Sequence, residues 1–250
     1  MENLIELTHL PFFNEQECLE IIQYIEEKEN FFKQNSTDKF DKHFKKNDEL
    51  ENIQHYPVLE NDIKYGKDRN YTTLLNHSYN FFKDNPKYIP RLKKFLKNKF
   101  PELSYPLFVQ SWGNFYKKNQ NIKWHKHSDH PNQPTKGLTA NIFIGGDENL
   151  GVTYAFPYKD CPRYKYHHEK NKLGHIQLVD NTIYHMVRSN DSNQKRYTIG
   201  ATINEFDIKY SKSFIYDAVF SEDIIILFDS ESSYDDNSYI EEKQELFNYS

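Results

Sequence analysis

Beyond Pro106 the sequence breaks into short alternating runs punctuated by Gly, Pro, Asn and Asp: Leu107 to Phe115, Ile122 to His127, Leu138 to Ile144, Val152 to Phe156, His175 to Val179, Ile183 to Val187 and Tyr197 to Phe206. Apolar residues at every second position give a strand one buried face, and many short strands in succession fold as a sandwich or barrel. Composition agrees with this. Phe and Tyr number 19 each among 250 residues, so large rings fill much of the core, as suits a pleated surface. A chain of this length can form one elaborated domain and bury roughly 70–75% of its unfolded surface.

The first hundred residues read differently. Leu4 to Phe13 is a strand running into a turn, and Asn14-Glu15-Gln16-Glu17 caps a helix whose apolar residues Cys18, Ile21, Ile22 and Ile25 recur at helical spacing. From Asn30 to about Lys67 the chain is polar and irregular. A second helix is expected over about Tyr71 to Phe82, with Leu74, Leu75, Tyr79 and Phe82 on one side, and a third, basic one over Ile89 to Phe100, stopped by Pro101. Beyond Ser221 the run Ile224 to Phe228 suits an edge strand, and the acidic, Ser- and Tyr-rich tail that follows reads as solvated.

The net charge of -5 removes any simple electrostatic case for nucleic acid or an anionic membrane. The basic run Arg91 to Lys99 reads as a solvated helix face. Cys18 and Cys161 are too few for a disulfide framework, no stretch approaches the about eighteen apolar residues a membrane helix needs, and Met1-Glu2-Asn3-Leu4 lacks the basic start of a signal peptide. A cytoplasmic setting is expected, in the host cell if the source is viral. The abundance of Asn, Lys, Tyr, Phe and Ile is what an AT-rich genome produces, which hints at such a source.

Chemistry concentrates in Trp124-His125-Lys126-His127-Ser128-Asp129-His130. In an extended segment His125 and His127 project to one face, and Asp129 joins them if the strand continues. Two imidazoles and a carboxylate on one face hold iron(II) while leaving positions open. A distant ligand is still needed, and His185, opening the strand after the Asp180-Asn181-Thr182 turn, is the candidate.

Tyr116, then Ile122-Lys123-Trp124-His125, then His185-Met186-Val187 and Arg196-Tyr197-Thr198, resemble the 2-oxoglutarate/iron(II) oxygenase superfamily, with its prolyl hydroxylase-like, AlkB-like and phage-encoded members. The resemblance spans roughly Leu107 to Ile203. It implies an α+β, β-dominated fold, a double-stranded β-helix (jelly roll, cupin-like) with N-terminal helices packed on it. One oxygenase domain would cover 1–220, with a helical part over 1–105 and the jelly-roll core over 106–206, and 221–250 would be a C-terminal extension.

The resemblance also implies that His127, Asp129 and His185 hold iron(II), and that Arg196 pairs with the distal carboxylate of 2-oxoglutarate. Thr198, Asn114 and Tyr116 would touch the same cosubstrate. Alternation supports both pairs sharing a face. A guanidinium holds a carboxylate through two parallel charge-assisted hydrogen bonds, and a hydroxyl adds a donor.

A second register stays open, in which spacing from Tyr116 makes His125 the first ligand and His127 takes the carboxylate's place; ligand chemistry favours His127 with Asp129, and spacing favours His125. Trp112, Tyr154 and Phe156 are candidates to line the pocket. The implied activity is hydroxylation of a protein side chain or small molecule by molecular oxygen, with 2-oxoglutarate decarboxylated to succinate and ascorbate as a possible helper. An AlkB-like nucleic-acid demethylase and a non-catalytic cupin-like module that binds metal or carbohydrate are the alternatives.

Overall fold

The computed structural model describes residues 7–34, 73–74, 80–118, 121–127, 137–158, 163–205 and 224–229. Asp129, Cys161, the polar stretch before Thr73 and the acidic tail lie outside them.

The chain enters through β1 (Thr8–Pro11) and turns into α1 (Glu15–Gln34). The Glu17 N–H donates to Asn14 Oδ1 and the Asn14 N–H to Glu17 Oε2, each at 2.9 Å, so two otherwise orphaned donors are satisfied reciprocally at the helix start. After β2 (Thr73–Leu74) come α2 (Phe81–Asp84), with Asn80 as its N-cap, a 3-10 turn over Pro86–Tyr88, and α3 (Ile89–Lys99), started by Pro90. Strands then follow almost without interruption: β3 (Leu107–Tyr116), β4 (Ile122–His125), β5 (Gly137–Gly145), β6 (Val152–Pro157), β7 (Tyr164–Glu169), β8 (His175–Asp180), β9 (Tyr184–Val187), β10 (Arg196–Glu205) and β11 (Ile224–Leu227).

These strands form two antiparallel sheets. The larger has the order β1-β8-β5-β10-β3-β11, with β2 also pairing to β3, and the smaller has the order β4-β9-β6-β7. The expected jelly-roll architecture is present, the run Ile224–Leu227 being an edge strand of the large sheet.

Period-2 alternation gives the large sheet two unlike faces. On the outer one Leu107, Val109 and Phe115 of β3, and Ile199, Ala201 and Ile203 of β10, pack against Ile21 and Ile25 of α1, Phe81 and Phe82 of α2, and Leu92 and Leu96 of α3. Each of these side chains apart from Ala201 contributes about 1.5–3 kcal/mol by leaving water. Between the sheets a smaller cluster forms from Tyr116, Val152, Tyr154, Val179, Ile183 and Val187. No helix among the described residues is long and apolar enough to cross a membrane.

Two expectations need correction. Thr73 and Leu74 do not lie in a helix but pair as a strand with Phe115 and Asn114, so helical structure in the 71–82 interval is confined, among its described residues, to its end at Phe81. β7 was not expected: Tyr164-Lys165-Tyr166-His167-His168-Glu169 has no apolar face, and it forms an edge strand on pairing with β6.

Candidate active site

The inner face of the large sheet carries a ladder of functional groups. In β10 the inward residues are Arg196, Thr198, Gly200 and Thr202, and their cross-strand partners in β3 are Tyr116, Asn114, Trp112 and Gln110. The expected Asn114–Tyr116 and Arg196–Thr198 pairs therefore face each other directly. Gly200 is required here, since a Cβ at that position would lie 2.8 Å from Cε2 of Trp112, whose indole crosses the strand.

Opposite this ladder, the small sheet brings in the histidines. His125 pairs with His185 across β4 and β9, and a register shift between Ile122 and His125 turns the end of β4 inward. β4 stops at His125, short of the expected His127, yet the chain stays tethered because the His127 N–H donates to Asn181 O at 3.0 Å. Ring nitrogens of His125, His127 and His185 all lie within 4.8 Å of one another. Their ring centroids are 4.2 Å apart for His125 and His185, and 5.2 Å for each of the other two pairs.

Two of these rings are oriented by hydrogen bonds at Nδ1. His185 Nδ1 lies 3.1 Å from Ile183 O, which fixes the tautomer with the proton on Nδ1 and leaves Nε2 as an acceptor. His127 Nδ1 lies 3.0 Å from Thr202 Oγ1. Burial pushes the His127 pKa down to about 3, with a smaller contribution from the charge of His125, and it pushes His185 well below the usual imidazole range for the same reasons. Both are neutral at physiological pH, the state a metal ligand needs.

The histidines open on a cavity of about 200 Å³ between the sheets. Trp112 and Tyr154 line it as expected; Phe156 does not, lying beside Tyr154 with ring centroids 6.2 Å apart. Asn114, Tyr116, Asn141 and Thr202 complete much of the wall.

At the Tyr116 end lies Arg196, with no exposed surface. Its guanidinium carbon sits 4.8 Å from the Tyr116 ring centroid and 6.0 Å from that of Phe143, and its Nη2 donates to Asn171 Oδ1 at 3.4 Å. Burial lowers its pKa from the ordinary guanidinium value, opposed by Tyr116 and Tyr154. Its Nε and Nη1 have no hydrogen-bond partner, and neither do the buried Thr198 Oγ1, Asn114 Oδ1 and Asn141 Nδ2.

Unpaired polar groups in the interior each cost about 1–3 kcal/mol, and more when charged. Such a concentration on one wall marks a site built for a polar ligand. The donors among them, headed by a buried cation, suit a carboxylate.

No protein-family model matches this sequence, and no curated protein does. Solved structures do. The non-heme alpha-ketoglutarate-dependent carbocyclase SnoK of nogalamycin biosynthesis superposes with a TM-score of 0.51 at 13% identity, over 82% of this chain and 81% of that one. HygX from Streptomyces hygroscopicus, solved with nickel and 2-oxoglutarate bound, superposes with a TM-score of 0.50 at 11% identity, over 84% of this chain and 86% of that one.

The fold is a double-stranded β-helix, similar to that of these two structures. Within this fold, sequence reasoning did not single out Thr202, Gln110 or Asn171. Thr202 was within reach, because stepping by twos from Arg196 along β10 arrives at it. Asn171 was not, since it lies in the loop between β7 and β8, where no periodicity operates.

Proposed function

We propose that the protein is a 2-oxoglutarate- and iron(II)-dependent dioxygenase that hydroxylates a protein side chain or a small molecule. The observation that carries this reading is a pair: three converging imidazoles on one wall of a cavity, and, packed on the Tyr116 ring that lines it, a fully buried arginine with two unused donors. A module that binds only a metal or a carbohydrate has no use for that arginine. A strong electrostatic case for a nucleic-acid substrate is lacking at a net charge of -5.

The donor set fits a first-row divalent metal. We assign His125, His127 and His185 as its ligands on the convergence of their ring nitrogens. Asp129, the carboxylate alternative to His125, lies outside the described residues. When bound, iron(II) and 2-oxoglutarate supply oxygen activation, with loss of carbon dioxide and formation of succinate.

The chain's own residues do the rest. Thr202 and the Ile183 carbonyl hold two imidazoles in fixed orientation, and such partners preserve both metal affinity and ring geometry. Arg196 and Thr198 receive the distal carboxylate of the cosubstrate, and Asn114 and Tyr116 flank it. Tyr154, whose hydroxyl donates to Gln177 Oε1 at 2.8 Å, is kept neutral by burial and walls the cavity between Arg196 and the histidines.

The test is succinate formed from 2-oxoglutarate with iron(II) and ascorbate. Wild type should turn over, even uncoupled from a substrate, while His185→Ala and Arg196→Ala should not. A folded, iron-loaded sample without turnover overturns the reading. Replacing His125 and Asp129 separately decides the ligand set, because loss of the true ligand lowers iron content and loss of its neighbour leaves it largely intact.

A further inference from the structure

Asn171 occupies a position that the proposed chemistry does not yet use. It is 3% exposed, and its Oδ1 accepts from Arg196 Nη2 at 3.4 Å. That contact also fixes which way round the amide lies, since the flipped form would set two donors against each other. Its Nδ2 is thereby directed elsewhere, and it is buried without a partner. A neutral donor left unpaired beside a cation with two unpaired donors of its own is costly, and an anionic acceptor on one edge of the guanidinium relieves the amide together with one of them.

The loop that carries Asn171 is well anchored. The Asn171 N–H donates to Glu148 O at 2.9 Å, Gln177 Nε2 donates to Lys170 O at 3.1 Å, and the Gly174 N–H donates to Phe143 O at 2.9 Å. The side chain is therefore held in place by backbone contacts on both sides, as a binding group needs to be.

We propose that Asn171 is part of the carboxylate-binding cluster: Oδ1 holds the Arg196 guanidinium in rotation while Nδ2 donates to the distal carboxylate of the cosubstrate. The proposal rests on the dioxygenase reading and extends its anion pocket to a loop outside both sheets. It makes Asn171 a determinant of selectivity for a dicarboxylate over a 2-oxo acid with no second carboxylate.

The experiment is calorimetric titration of 2-oxoglutarate and, separately, of pyruvate into manganese(II)-loaded protein under nitrogen, so that no turnover is required. Asn171→Leu should weaken 2-oxoglutarate binding roughly tenfold, the worth of one hydrogen bond to a charged group. Pyruvate, which lacks the distal carboxylate, should bind wild type and variant alike, and manganese affinity should not change. Asn171→Asp, which preserves shape and so guards against a folding defect in the leucine variant, should cost on the order of a hundredfold, because its carboxylate competes for the guanidinium.

Equal 2-oxoglutarate affinity in wild type and both variants overturns the proposal. So does a parallel loss of pyruvate and manganese binding, which would mark a merely structural residue. Wild type that binds no 2-oxoglutarate at all is a different failure and falls on the dioxygenase reading itself.

Discussion

The two faces of β3 and β10 are made by the same strands and are almost equally buried, yet they are built on opposite rules. On the helix side, Phe115 and Ile199 have no exposed surface and no polar atom to satisfy. On the inner side, Arg196 and Thr198 are just as buried, and Arg196 Nε, Arg196 Nη1 and Thr198 Oγ1 go without partners. Burial does not distinguish a core from a site in this protein. The concentration of unsatisfied polar groups does: on the helix side the Tyr88 and Tyr105 hydroxyls are unpaired among the described residues, whereas the inner side gathers several such atoms around one buried cation, as a site awaiting a polar ligand does.

The sharpest way to break this comparison is Arg196→Met, which removes the buried charge and keeps its volume. If the inner face is built for a ligand, turnover should fall on the order of a thousandfold, from loss of a buried charge pair worth about 2–5 kcal/mol or more. The ligand-free protein should keep or gain stability, since a well-packed apolar side chain replaces an uncompensated cation. Succinate assays and thermal melts of the same sample report the two quantities. A drop in melting temperature together with unchanged turnover would make Arg196 a structural residue and erase the distinction between the faces.

Phe115→Ala is the counterpart on the helix side. It opens a cavity against Tyr197, whose ring centroid lies 6.2 Å from that of Phe115, and should cost about 3–5 kcal/mol in urea unfolding. The folded fraction should still bind 2-oxoglutarate with wild-type affinity. A weakened affinity would show that the faces are coupled through the strand.

Gly200→Ala tests the boundary between site and scaffold. The new methyl would meet the Trp112 indole at 2.8–3.0 Å, so the ring must move, at about 1–3 kcal/mol for overpacking. Trp112 stacks on His127 with centroids 6.2 Å apart and planes at 24°, so the displacement should reach the histidine cluster. Tryptophan fluorescence and manganese affinity should change together. A fluorescence change with unaltered metal binding would show that the stack does not orient His127.

How much of this was legible in the sequence follows from the same contrast. Strands with one apolar face announce themselves by alternation, which is why Leu107 to Phe115 and Tyr197 to Phe206 were placed within a residue or so of their ends. β7 has no such face, and its polar, His-rich run looks like a loop until β6 is there to pair with it. Leu74 and Leu75 mimic helical spacing with Tyr79 and Phe82, but pairing of Thr73 and Leu74 with β3 overrides that local signal.

Within the site, His125, His127, His185 and Arg196 were visible because residue type and order carry chemistry. The choice between His125 and Asp129 could not be made from spacing alone, since it depends on where β4 ends and how its register shifts. Thr202 was implicit in the alternation, whereas Asn171 needed the three-dimensional fold.

The smallest effect belongs to the contact that closes the helical layer. Arg91 holds Glu17 through Nη1 to Oε2 at 2.8 Å and Nη2 to Oε1 at 2.7 Å, while Nη1 also donates to Phe12 O at 2.9 Å. The hydrogen bond from Arg91 is the chief cause that holds the Glu17 carboxyl below its ordinary value, aided by the Asn14 N–H and opposed by partial burial. A carboxyl whose folded pKa is depressed stabilises the fold above its unfolded pKa, near 4.5, and that stability is lost as the solution is acidified through the folded value.

Glu17→Gln should therefore cost under about 1 kcal/mol at neutral pH, the modest worth of a solvent-screened pair. The wild-type advantage should shrink toward zero below the folded pKa. Paired urea titrations at neutral and acidic pH read this directly, and 2-oxoglutarate affinity should be untouched at neutral pH. A pH-independent difference would show that the charge facing Arg91 is not its source, because Gln at this position can still accept from the Asn14 N–H and so changes little but that charge.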